Sequence, residues 1–388
     1  MNQQKLFIPN SMLNILDIKN SIVLVKVGFD LPSLEDFSRI LDAQKTIKLL
    51  IKNGNKVVLL SHWGRPTNSQ DKKYSLEHML PLISDLLQEN VEFLNQYSDF
   101  KEIQNRINQS KDKLILLENT RFEPDEQSKN VNLRVSLAKK YADLGNYFVD
   151  EAFSLSHRQE ATNTEIKQFL PWTLGLSYQQ EILELNKLKT QPHLPFVAIM
   201  AGSKLETKLP IISKMIPLCT RLIIGGKLCF TFIRAAKEMG LNKYLEVDFG
   251  NSEVEVDFLD QAKSLLEKYS EKIILPVDFV YGDNLAKKIS SESPIEKYAL
   301  DIGPKSILNF QTELSPAKTV FWNGTMGYYE REEFNLGNTE IGKFLAENPS
   351  IYKVLGGGDT TSSLPKEVLN KMNFVSMGGG ASLTYLSK

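Results

Sequence analysis

Six basic side chains follow directly on short apolar runs, where a chain that alternates strand and helix places its ligand loops. Arg39 opens a helical pattern after SIVLVKVGF (21–29), and His62 and Arg65 lie in SHWGRP (61–66) after KVVLLS (56–61). Arg121 follows KLILLEN (113–119), and His157 and Arg158 follow NYFVDEAF (146–153). A guanidinium fork binds carboxylate or phosphate through two parallel hydrogen bonds, each charge-assisted bond contributing roughly 1.5–3 kcal/mol net. Taken singly, each of these residues reads equally well as a surface base paired with an acid. Gathered on one rim of strand ends, four arginines and two histidines suit a small molecule carrying carboxylate and phosphate.

The second half is glycine-rich at the equivalent places: GSKLETK (202–208), GGK (225–227), WNGTMG (322–327), GGGDTT (356–361) and GGGAS (378–382). Glycine lets backbone N–H groups approach an anion closely, and a helix N-terminus adds partial positive charge. Lys204 and Lys208, four apart, share one face of a first helical turn, which suits two phosphates of one nucleotide. Asp359, beyond a glycine triplet, suits a one-oxygen contact to Mg²⁺, since phosphate-bound Mg²⁺ needs few protein ligands. There is no GxxxxGK[ST], which excludes a P-loop enzyme. GGGDTT imitates GxGxxG only loosely and has no full βαβ unit after it, which disfavours a nicotinamide dehydrogenase.

These loops need a scaffold. The runs above, with LPFVAIMAG (194–202), RLIIGG (221–226), KIILPVDFV (272–280), KTVFWNG (318–324) and YKVLGGGD (352–359), are apolar on both faces, as in parallel sheets covered on both sides. Amphipathic stretches at 39–52 and 254–269 lie between runs, giving the strand–helix alternation of α/β domains. The polar stretch SYQQEILELNKLKT (177–190), between Pro171 and Pro192, reads as a connecting helix. The expected fold is α/β, with two doubly wound parallel-sheet, Rossmann-like domains joined by a hinge helix. The expected boundaries are 1–172 for the anion-binding domain, 173–192 for the hinge helix, 193–376 for the nucleotide-binding domain and 377–388 for a segment returning toward the first domain.

Composition bounds the rest. The 388 residues carry 46 Lys+Arg against 47 Asp+Glu, a formal charge of −1 that argues against a general nucleic-acid or polybasic membrane binder. Two cysteines without a CxxC pair exclude a disulfide framework and a structural zinc site and favour a reducing compartment. MNQQKLFIPNSMLN does not read as a signal peptide, and no apolar run reaches the roughly 18 residues of a membrane helix. A cytoplasmic protein is expected, and the balanced charge fits a monomer.

In their order along the chain, SHWGRP, LLENTRF, AFSLSHR, AGSKLETK, LIIGG, LPVDF, ALDIGP, WNGTMG, GGGDT and GGGAS resemble phosphoglycerate kinase over nearly the whole length. The resemblance implies a two-lobed, hinge-bending enzyme that moves the acyl phosphate of 1,3-bisphosphoglycerate to MgADP, giving 3-phosphoglycerate and MgATP. By matching position, Arg39, His62, Arg65, Arg121 and Arg158 would hold the phosphoglycerate, with His157 beside them. Lys204 and Lys208 would contact the nucleotide phosphates, Lys208 following the transferred group, with Arg39 as its catalytic counterpart. Gly225 and Gly226 fall in the nucleotide site; Asn323, Gly356, Gly357, Gly358 and Thr360 would complete its phosphate end, Glu330 would bond the ribose, and Asp359 would hold Mg²⁺.

The sequence also departs from the family pattern. Where the first strand of the family reads R-V-D-F-N-x-P, this chain has Lys26, Val27, Gly28, Phe29, Asp30, Leu31 and Pro32, followed by a short loop. Residues two apart share a strand face, so one carboxylate is kept but moved by one pleat; Asp30 is expected to take a substrate hydroxyl. Asp150–Glu151 replaces Asn-Asp, Ser154 and Ala201 each replace a Gly, Thr207 an Asp, Lys227 a Gly, Thr325 a Pro and Met377 a Thr. LTYLSK (383–388) reads as a shortened C-terminal extension. Two alternatives stay open: a catalytically impaired nucleotide-binding relative, and a kinase of a different small phospho-acid.

Overall fold

The computed structural model describes residues 13–30, 37–68, 71–95, 99–283 and 297–388. Residues 31–36, with Leu31, Pro32 and most of the loop before Arg39, lie outside them, as do residues 1–12. The chain divides into two compact units, Met1–Leu183 and Glu184–Lys388.

In the first unit, β1 (Ile22–Lys26), β2 (Lys56–Leu60), β3 (Val91–Leu94), β4 (Leu114–Leu117), β5 (Tyr147–Asp150) and β6 (Trp172–Leu174) form a parallel sheet in the order β3-β4-β2-β1-β5-β6. Its strands are mostly apolar because both faces of the sheet are buried. Val23, Val25, Val57 and Leu59 pack with Ile40, Ile47 and Leu50 of the helix Ser38–Lys52. Leu24, Val58, Leu60 and Phe148 pack on the other face with Ile103, Ile107, Leu137 and Tyr141. The chain runs outward from β1 on one side and β5 on the other, so the sheet switches direction between them.

In the second unit, β7 (Phe196–Met200), β8 (Arg221–Ile224) and β9 (Ile273–Ile274) lead in one direction. A two-stranded antiparallel pair, β10 (Phe279–Asp283) and β11 (Lys297–Ile302), stands apart. β12 (Thr319–Asn323), β13 (Tyr352–Gly356) and β14 (Phe374–Ser376) complete a parallel sheet ordered β14-β13-β12-β7-β8-β9, with its switch point between β7 and β12. The run 272–280 is therefore not one strand. Pro276 lacks a donor for a central ladder, and the chain passes from the edge of one sheet to the separate pair.

The helix Leu176–Thr190 spans the division between the units. Its N-terminal turn is held by the first unit: Leu176 N–H donates to Thr46 Oγ1 (2.8 Å), Ser177 Oγ to the Asp42 carbonyl (2.6 Å), and Ser177 N–H to Glu151 Oε1 (3.3 Å). Burial pushes the Glu151 carboxyl up to about 8, against the Thr46 hydroxyl that hydrogen-bonds it. Within the second unit, Tyr385 of the helix Gly380–Ser387 donates to Asn186 Oδ1 (2.8 Å), and that helix packs on Leu205–Met215. Cys219 and Cys229 are free, buried thiols of the second unit; burial pushes Cys219 up to about 12 and Cys229 well above its usual value. Among the described residues no helix is long and apolar enough to cross a membrane.

Candidate functional site

In the first unit the C-terminal ends of β1, β2 and β4 bring together Asp30, Arg39, His62 and Arg121. Arg39 Nη1 donates to the Asp30 carbonyl (2.7 Å), Gly64 N–H donates to Asp30 Oδ1 (2.9 Å), and Arg121 Nη1 donates to the Gly64 carbonyl (2.7 Å). Asp30 Oδ2 stands 3.5 Å from His62 Nε2. Burial alone would raise the Asp30 carboxyl, but His62, the Gly64 N–H and Arg121 outweigh it and hold it at about 2. Burial also pushes the His62 imidazole down to about 4, against the pull of Asp30, so the ring is neutral at physiological pH. Neither His62 nitrogen, nor Arg121 Nε, has a hydrogen-bond partner among the described residues, although all three are buried. A buried donor left unmade costs about 1–3 kcal/mol, which a polar ligand would recover. Arg65 and His157 are exposed and Arg158 is half-buried, each on an adjoining loop.

A second layer of charge lies beneath this rim. Lys26, fully buried at the end of β1, lies 3.3 Å from Glu126 Oε1 and 3.8 Å from Glu160 Oε2 and donates to Thr162 Oγ1 (2.5 Å). Glu160 Oε1 accepts from Arg121 Nη2 (3.1 Å) and Gln127 Nε2 (2.7 Å). Burial pushes Glu126 up to about 7. It also works against ionisation of Glu160, but Lys26, His62 and Arg121 outweigh it and keep that carboxylate charged. The sequence motifs contain neither acid; Lys26 and Glu126, for example, lie 100 residues apart in the chain.

In the second unit the switch point is built from glycines that admit no Cβ. Gly324 has φ +98°, and a Cβ there would lie 1.9 Å from the Ala201 carbonyl oxygen. A Cβ on Gly226, at φ +61°, would lie 2.5 Å from Gly202 N, and one on Gly225 would strike Met326 Sδ at 2.4 Å. Asn323 Nδ2 donates to the Gly356 carbonyl (2.7 Å), and Thr360 Oγ1 accepts from Gly324 N–H (2.7 Å). These bonds pin the Gly356–Gly357–Gly358 turn against β12. Lys208 Nζ donates to Asn323 Oδ1. Burial lowers its ammonium to about 8, against the pull of the Asp359 carboxylate. Lys204, at the N-cap of Leu205–Met215, and Asp359 are exposed.

Beside them opens a cleft of about 340 Å³, lined among others by Gly202, Gly226, Phe230, Phe279, Glu330 and Asp359. Its walls combine the Phe230 and Phe279 rings (centroids 5.5 Å apart) with a carboxylate at Glu330, a shape suited to a purine and its ribose. The sequence reading missed both phenylalanines, and also Tyr329, which lines the cleft with Asp359. Lys227 lines the cleft and forms an exposed ion pair with Glu253 (3.2 Å). Among the described residues no cluster of three His, Cys, Asp or Glu side chains stands ready to hold a metal. A lone exposed carboxylate fits a Mg²⁺ that arrives on the phosphates of its nucleotide.

The family model described as phosphoglycerate kinase matches residues 13–388. The chain belongs to the phosphoglycerate kinase family. It is 37% identical over 394 residues to the phosphoglycerate kinase of Lactobacillus delbrueckii subsp. lactis, covering 96% of this chain and 94% of the relative. It superposes on phosphoglycerate kinase structures from Coxiella burnetii (TM-score 0.77, 28% identity) and Pyrococcus horikoshii (TM-score 0.78, 26% identity), each over 95% of this chain and 94% of the other. Two departures from the phosphoglycerate kinase pattern turn out to be neighbours: a Cβ on Gly28 would lie 2.9 Å from Ser154 Oγ.

Proposed function

We infer that the chain catalyses the reversible transfer of the acyl phosphate of 1,3-bisphosphoglycerate to MgADP, giving 3-phosphoglycerate and MgATP, with each unit supplying half of what transfer needs. Arg39, His62 and Arg121, with Arg65, His157 and Arg158 on adjoining loops, hold the anionic groups of phosphoglycerate, and Asp30 takes its hydroxyl. Lys204, Lys208, Asn323, Thr360 and the 356–358 turn hold the nucleotide phosphates; Gly225 and Gly226 lie beneath, Glu330 takes the ribose, and Asp359 takes the Mg²⁺ of the nucleotide. The bond from phosphorus to the carboxyl oxygen breaks as the bond to a β-phosphate oxygen of ADP forms. The group in flight spreads charge over three equatorial oxygens, so catalysis is positioning plus electrostatic stabilisation, with Arg39 and Lys208 as the nearest cations.

The observation that carries the nucleotide half is Lys208, half-buried against Asn323 and close to Asp359, where β7 and β12 part. That is where open α/β sheets bind ligands. The test is MgATP-dependent turnover of 3-phosphoglycerate in a coupled assay. Turnover abolished by Lys208→Ala supports the reading, and no turnover by the wild type refutes it. Gly28 favours a second reading, transfer to a different small acid, which kcat/KM compared across phospho-acids decides. Both substrates are small molecules, and neither nucleic acid nor membrane enters the reaction. Buried free thiols and balanced charge support a monomer in the cytoplasm.

A further inference from the structure

We infer that Glu160 is a positioning residue: it aims the Arg121 guanidinium at the phosphoglycerate and is itself held in place by the buried Lys26. The inference rests on the reading of Arg121 as a substrate-binding group.

Arg121 is fixed at two nitrogens, Nη1 on the Gly64 carbonyl and Nη2 on Glu160 Oε1. Its side chain is only 7% exposed and that of Glu160 1%, so neither can find water as a substitute partner. A buried guanidinium without a counter-charge carries a large desolvation cost and turns toward any acceptor within reach. Glu160 is the only carboxylate among the described residues that forms an ion pair with Arg121, and it faces a second cation, Lys26, through its other oxygen. Lys26 comes from the end of β1, Arg121 from the turn after β4, and Glu160 from the loop after β5. One carboxylate therefore fixes the relative placement of three loops that carry proposed substrate contacts. With both Nη groups tied down, the buried Nε is the one nitrogen of the fork left without a protein partner among the described residues. Glu160 thus sets the direction of the fork while partly neutralising it, and its loss weakens phosphoglycerate binding without touching the nucleotide cleft.

The experiment measures steady-state kinetics of Glu160→Ala, Glu160→Asp and Arg121→Ala, with the Glu160→Ala/Arg121→Ala double variant. Thermal unfolding reports whether each folds. The expected result is a KM for 3-phosphoglycerate raised about tenfold in Glu160→Ala and about threefold in Glu160→Asp. The aspartate keeps the charge opposite Lys26 but withdraws one methylene from Arg121. KM for MgATP should stay within about twofold, and Glu160→Ala should add nothing in the Arg121→Ala background. Should Glu160→Ala not fold, Glu160→Asp decides alone. Glu160 variants that leave KM for 3-phosphoglycerate unchanged while Arg121→Ala raises it overturn the inference, as does an equal rise for both substrates. If Arg121→Ala itself leaves KM unchanged, the reading of Arg121 fails first and takes this inference with it.

Discussion

Gly28 lies so close to Ser154 that a Cβ at residue 28 would sit 2.9 Å from the serine Oγ. The strand end has given up a side chain, and a hydroxyl from the loop after β5 stands beside the vacated space. Restoring only the family's aspartate forces Ser154 to move. Gly28→Asp alone is expected to cost about 1–3 kcal/mol of stability from overpacking, and Gly28→Asp/Ser154→Gly to recover most of it. Chemical denaturation of the two singles and the double measures the coupling; additive effects would show that the two sites are independent.

As the proposed nucleotide contact, Lys208 is expected to set an alkaline limit on nucleotide binding. Burial lowers its pKa to about 8 in the free protein, and bound phosphates favour the charged form, so binding takes up a proton above that pH. Affinity for ADP should be level below pH 8 and fall by up to about tenfold per unit above it. Lys208→Arg, charged throughout, should show no such fall. Titration calorimetry from pH 6.5 to 9.5 reads both.

Glu151 makes stability fall as pH rises. Its carboxyl titrates near 8 in the folded state against 4.5 for the ordinary group. The native chain therefore holds a proton that the unfolded chain has released between those values, and stability declines across that window and levels off above pH 8. Glu151→Gln is neutral at every pH and removes this decline. Its Tm should match the wild type near pH 5 and exceed it by several degrees at pH 8.5. An offset that does not change with pH would refute the assignment.

Gly324 has no substitute. Alanine there meets a left-handed φ, which costs roughly 1–2 kcal/mol, and brings its Cβ to 1.9 Å from the Ala201 carbonyl oxygen. Separating β7 from β12 at this point displaces Asn323 and with it Lys208. Gly324→Ala should lose nucleotide binding by at least tenfold even where it folds, whereas Gly240→Ala, at another left-handed position with open space around it, should keep it. ADP titration of both variants compares them.

Strands apolar on both faces were legible because burial on two sides leaves no polar alternation to confuse. Val91–Leu94 and Trp172–Leu174 were not: both are short edge strands of three or four residues, and the first is only partly buried. The run 272–280 misled because hydrophobicity continues through Pro276 while the ladder cannot. The arginines, lysines and glycines of the candidate site were readable as a set from their place after strands. Glu126 and Glu160 were not: a buried acid looks like a surface acid until its cation arrives from 100 or more residues away. Phe230 and Phe279 read as core residues, and only the structure shows that they wall a cleft.

Both sulfhydryls of the chain sit in the second unit, at Cys219 and Cys229, sealed from solvent and held in the unreactive thiol form. Alkylating reagents therefore reach them only through transient openings of that half of the molecule, whatever the other half is doing. The chain carries a native chemical clock for the breathing of its second unit, with no label to be engineered.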